Sequence, residues 1–203
     1  MVVLKFKIQN VINKIPASVY AFFSIIVGLI GDLLAMILFP DFNFSYMISA
    51  LGAGPGGIFF NIGLILSGVF CLGFYPYLAR VIKTNIEQKK LIMFAKVSAI
   101  TSCIFYSLIG FFPAIVELEV IVTLHGLSVA ICWITAAMYL IAFGFLFLRS
   151  SNFLKIHAVL SFVTAATFFI VLLTWNPITE WIMTFAIISW IAIMASYTIT
   201  NKF

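Results

Sequence analysis

A chain of 203 residues that is 65% hydrophobic and only 8% charged has too few polar residues for a water-soluble surface, since soluble domains run near a quarter charged. Its net charge of +5 comes from basic residues gathered between long apolar runs, which is a membrane-topology signal and not a nucleic-acid footprint. Cys71, Cys103 and Cys132 all lie inside apolar runs, with no C-x-x-C; they read as small core residues and exclude a disulfide framework or a cysteine metal site.

In chain order, residues 1–16 come first. Leu4, Ile8, Val11, Ile12 and Ile15 recur at helical spacing with Lys5, Lys7 and Lys14 between them. That pattern predicts an amphipathic interfacial segment ended by Pro16. The apolar run that follows is long enough to span a bilayer and carries no A-x-A site, so the start does not read as a cleaved signal. A span takes about 20 residues, and six are predicted within a single domain covering 17–203, at about 17–39, 57–82, 91–113, 121–148, 157–175 and 181–200. The fold class is therefore an all-α integral membrane protein with six transmembrane helices in one bundle.

Between the first two spans, DFNFSYMISALGA carries Phe42, Phe44, Tyr46, Met47, Ile48 and Leu51, too apolar for a free loop. A lid-like segment over 41–57 containing a short helix is expected. Gly52, Gly54, Gly56 and Gly57 close it. They read as a compact turn with positive φ angles, leaving room for a backbone or a lipid headgroup to approach. They do not read as a phosphate cradle, because G-x-x-x-x-G-K-[ST] and a preceding strand are both missing.

Later punctuation is sparse. Pro76 should kink the second span, with Tyr75 and Tyr77 near its interface. Trp175 and Trp181 bracket the turn NPITE as an aromatic belt. Lys5, Lys7, Lys14, Arg80, Lys83, Lys89, Lys90, Lys96, Arg149, Lys155 and Lys202 all fall on one side of the predicted topology. The other three loops hold Asp41, Glu117, Glu119 and Glu180 and no Lys or Arg. The positive-inside rule then puts both termini in the cytoplasm of a multi-pass protein of the cell (cytoplasmic) membrane.

Ionisable side chains inside a bilayer cost about 2.5–3.5 kcal/mol for Asp at a helix centre, so Asp32 needs an explanation. It reads either as a proton or ion carrier, acid/base or ligand, or as a hydrogen-bonded lock between two helices. His125 reads as a base facing a cavity or as an interfacial His bonded to a loop carbonyl. Asn61 by itself reads as an interhelical hydrogen bond. Together with Glu117 and Glu119 these residues lie at the outer end, so a pocket opening outward beneath the 41–57 lid is the site expected. His157 falls among loop residues at the other end and reads as solvated. No metal and no cofactor is expected. One His with carboxylates is a poor zinc set, H-E-x-x-H is absent, and His125 and His157 sit too far apart for a bis-His haem.

The stretch Tyr46–Gly68, YMISALGAGPGGIFFNIGLILSG, and the run Gly110-Phe111-Phe112-Pro113 followed by His125 resemble motifs of a family of small prokaryotic membrane proteins, the domain of unknown function numbered 998. The same broad pattern is similar to the eukaryotic FRAG/DRAM/SFK type. The resemblance implies a six-helix fold and importance for Ser49, Gly52, Asn61, Gly63, Pro113 and His125. It brings no reaction; the eukaryotic group is linked to lipid handling and lipid-anchor remodelling. Asp32 lies outside the motif.

Three functions follow as expectations. The first is a lipid- or amphiphile-interacting protein, or a membrane accessory subunit, binding through Asp32, Ser49, Gly52, Asn61 and His125. The second is an enzyme acting on a lipid or isoprenoid headgroup, with His125 as base and Asp32 or Glu117 assisting. The third is a small proton-coupled transporter using Asp32. Membrane lipid is the expected partner, with a homo-oligomer or another membrane protein also compatible, and no nucleic acid.

Overall fold

A computed structural model describes residues 16–82, 88–115 and 118–201. The amphipathic segment before Pro16, the basic residues Lys83 and Lys202, and Glu117 lie outside them. The described chain is all helical, with no strand. Six long helices carry it: α1 (Ala17–Ile37), α2 (Gly57–Val81), α3 (Lys89–Phe111), α4 (Glu119–Arg149), α5 (Lys155–Thr174) and α6 (Pro177–Thr200). A 3-10 helix, Ile48–Ala53, lies between α1 and α2. All six are long and apolar enough to cross a membrane, so the chain is a multi-pass membrane protein.

Local chemistry sets the helix limits. Pro16 accepts from the Val19 N–H at 2.8 Å and opens α1. Pro113 follows the end of α3, as expected for a residue that disfavours helix before it. Asn176 caps α6 by accepting from the Ile178 N–H at 2.9 Å, and Pro177 takes the first helical position, where a missing N–H costs nothing. α6 therefore begins four residues before the expected 181. The turn before it is tight because Trp175 takes a left-handed backbone, φ 45°. Pro76 sits inside α2 and the helix runs through it.

The helices pack in sequence order, α1 on α2, α2 on α3, and so on to α6, which returns to α1 and closes a ring. The α1/α2 wall is the tightest and the α6/α1 seam the sparsest. Small residues make the tight wall. A Cβ at Gly31 would meet the Phe59 carbonyl oxygen at 2.7 Å and the Gly63 Cα at 3.0 Å. Away from the ring axis the helices are apolar and open; Leu173 is 84% exposed and Ile37 75%, as lipid-facing side chains would be.

Two helix-end aromatics differ from expectation. Tyr75 is buried and shares a 2.8 Å hydrogen bond with Tyr139. Trp181 is buried too, because the 41–57 segment folds over it, whereas its neighbour Trp175 is exposed. His157 is also buried. It accepts from the Leu154 N–H at 3.1 Å and packs against Phe147, Phe153 and Tyr197. Its place in the first turn of α5, turned inward, puts it in this aromatic plug and not in solvent.

Gly28 and Gly31 sit on the same helix with opposite spatial margins. A Cβ at Gly28 would make only ordinary contact, 3.4 Å from Ser67 Oγ. Gly28→Ala should therefore hold or raise the thermal midpoint in detergent, since Ala is favoured over Gly by about 1 kcal/mol in a helix. Gly31→Ala should lower it, by the roughly 1–3 kcal/mol of overpacking against backbone. Parallel melts of the two variants check this ordering.

Candidate functional site

The interior of the ring is not solid. A cavity of about 120 Å³ lies at mid-length of the helices, and all six contribute to its wall. Its floor, away from the 3-10 helix, is the Tyr75–Tyr139 pair, whose rings are 4.8 Å apart, with Trp190 stacked behind. Below the floor, Phe74, Leu78, Leu140, Phe143, Leu146 and Phe147 are fully buried, so that end is a packed plug.

The polar groups of the wall are largely committed to one another. Ser24 Oγ lies 2.8 Å from Ser67 Oγ and 3.1 Å from Cys71 Sγ. Ser67 also donates to the Ser24 carbonyl at 3.0 Å, and Ser102 to the Cys132 carbonyl at 3.2 Å. These bonds fasten α1 to α2 and α3 to α4 from inside. All three free cysteines face this space. Among the described residues, no group of three or more His, Cys, Asp and Glu side chains is arranged to hold a metal.

As well as Thr184, Asp32 is an exception. It lines the cavity at the 3-10 helix end and has no hydrogen-bond partner among the described residues. The lock between helices that its setting among glycines suggested is made by the serines instead. Tyr106 lines the same space within electrostatic range of the carboxylate.

Exposure shows where the cavity opens. The lining residues of α2, α4 and α5 are buried, while Ile25, Gly28, Leu29 and Asp32 of α1 and Thr184, Ile187 and Ile188 of α6 are half-exposed. The mouth is thus the α1/α6 seam, which faces sideways. The seam is pinned at one end by the buried Ser18 Oγ–Thr198 Oγ1 bond of 2.7 Å. At the other end the 3-10 helix holds it.

That second pin was not visible in the sequence. Glu180, which reads as an outer-loop acid, is 3% exposed. It accepts from the Ile48 N–H at 2.7 Å, with Ser49 also in reach. Trp181 donates to the Tyr46 carbonyl at 3.3 Å, and its ring packs on Phe42 and Phe44. A carboxylate at the start of an apolar helix, three positions after an Asn-Pro cap, was the one available signal.

The other expected site residues belong to this lid and not to the cavity wall. Ser49 sits at the Glu180 carboxylate. Asn61 donates to the Gly52 carbonyl at 3.1 Å, and its Oδ1 is buried without a partner. His125 Nδ1 lies 2.7 Å from the Phe112 carbonyl, which ties the end of α3 to α4. Of Asp32, Ser49, Gly52, Asn61 and His125, only Asp32 lines the cavity, and none of residues 38–57 does. The glycines act by space and not by backbone sign, because no described glycine has a positive φ. A Cβ at Gly54 would meet the Phe39 ring at 2.5 Å, one at Gly56 the Ala35 Cα at 2.7 Å, and one at Gly57 the Gly52 carbonyl.

Comparison with known proteins leaves the reading to this geometry: no family model, no curated protein and no solved structure matches the chain.

Glu180→Ala should free the lid without unfolding the bundle. The loss leaves a buried N–H unpaired, at about 1–3 kcal/mol. Hydrogen exchange should speed up at Ile48–Ala53 and stay unchanged at mid-bundle amides of α3 and α4.

Proposed function

We propose that the protein binds a membrane-dissolved amphiphile, with the head in the mid-bundle cavity and the tail leaving through the α1/α6 seam into lipid. The observation that carries this reading is the sideways mouth. A cavity whose half-exposed lining lies only on two adjacent helices, plus Tyr106, is reached from the hydrocarbon. The two ends of the bundle are taken up by the aromatic plug and by the clasped lid. A concave, mostly apolar space with a few placed polar groups is the usual form of a small-molecule site.

The other readings lose support. An enzyme with His125 as base needs that ring beside the substrate, yet it is spent on a backbone carbonyl outside the cavity. A proton-coupled transporter commonly breaks a helix at its site, whereas α1 runs unbroken past Asp32. The basic residues support a cell-membrane setting with both termini in the cytoplasm and the lid outside. Arg80, Lys89, Lys90, Arg149 and Lys155 all lie at the end opposite the lid, as the positive-inside rule asks.

A neutral alkyl alcohol bearing a diazirine near its hydroxyl, incorporated with the full-length protein into lipid nanodiscs, tests the reading. Photolysis should label α1 at 24–32 and α6 at 183–191, and Ile187→Trp, which fills the mouth, should cut that labelling at least severalfold. Labelling confined to outward positions such as Ile30, Leu33 and Ile182, unaffected by Ile187→Trp, would overturn it.

A further inference from the structure

We propose that the head this cavity takes is an organic cation, a substituted ammonium on an alkyl chain, and that Asp32 is its counter-ion; this rests on the amphiphile-binding reading above. The charge of the lining points to it. Asp32 is the one ionisable carboxyl there, and no Lys, Arg or His joins it. A phosphate, sulfate or carboxylate head would bring its negative charge against Asp32 whenever that carboxyl is ionised, in surroundings of low dielectric where like charges repel strongly. A sugar head needs several free donors and acceptors, yet Ser24, Ser67 and Ser102 are already bonded to protein, which leaves Thr184 as the one lining Ser or Thr hydroxyl without a hydrogen bond among the described residues. A plain alcohol would leave the carboxylate without a counter-charge. An ammonium supplies that charge, and Asp32 has no protein hydrogen bond to surrender in accepting it.

Ring placement and size agree. Tyr106, Trp133 and Phe168 border the same space, and aromatic faces attract alkylammonium ions most when water is excluded. Drug-sized ligands fill pockets of roughly 300–1,000 Å³, while this cavity holds about 120 Å³. It accommodates a head and its first carbons only. The rest of the molecule must pass Leu29 and Ile187 into the bilayer, and Asp32, half-exposed at the seam, meets the head on the way in.

The test is displacement of the neutral photolabel from full-length protein in a maltoside detergent by dodecyltrimethylammonium, dodecanol or dodecyl sulfate. The ammonium should displace it at a concentration about tenfold lower than dodecanol, a gap worth 1.4 kcal/mol, and the sulfate should be weakest. Asp32→Asn should erase the gap between ammonium and alcohol, and Asp32→Glu should keep it. Equal displacement by ammonium and alcohol in the wild type overturns the proposal, as does a gap that survives in Asp32→Asn. If the asparagine variant does not fold, the wild-type comparison decides alone. Failure of the photolabel to enter the cavity at all would instead remove the amphiphile reading, so the two failures are distinct.

Discussion

Gly31 of α1 and Gly63 of α2 meet backbone to backbone, with room for no side chain between them. Hydrocarbon offers helices no hydrophobic reason to associate, so close packing and buried hydrogen bonds must do it. The glycine contact and the Ser24–Ser67 bond below it supply both. Once α1 is drawn this close to α2, its other flank is left at a distance from α6. The ring still closes, through Ser18–Thr198 at one end and the Glu180 clasp at the other. Between those pins the seam stays loose, and the cavity opens there.

The same economy explains the lid. Gly54 and Gly56 let the 48–57 segment sit directly on Phe39 and Ala35 at the end of α1, and Gly57 lets α2 start against the Gly52 carbonyl. Asn61 and Glu180 then satisfy backbone groups that would otherwise be stranded, as any buried N–H or C=O requires. The lid thus joins α1, α2 and α6, and it sets the spacing of the very seam through which the cavity opens. Asn61 and Glu180 hold that arrangement together; Asp32, one level deeper, lines the cavity with no hydrogen-bond partner among the described residues.

Much of the fold was legible in the sequence. Each span shows as an apolar run because the bilayer demands about 20 such residues, and the helix limits fall within a few residues of those runs. The exceptions have local causes: α6 starts early because Asn176 and Pro177 form a cap. The candidate site was legible only in part. Asp32 stood out because a carboxylate in an apolar run is expensive. Ser49, Asn61 and His125 shared its depth but not its cavity, because depth along a helix says nothing about which way a side chain points. The buried positions of Tyr75, His157 and Trp181 were hidden for the same reason.

What the sequence determined by itself was the number of spans, the gathering of Arg80, Lys89, Lys90, Arg149 and Lys155 at the helix ends away from the lid, and the presence of a costly carboxylate. These depend on composition and length, which the membrane reads one helix at a time. What only the tertiary structure decided was the rotation of each helix and the order of packing around the ring. Those set Ser24 on Ser67, Glu180 under Ile48, and Asp32 in an open space with no partner. In a helix that is apolar on every side, periodicity marks no inner face, so only contact between helices assigns one.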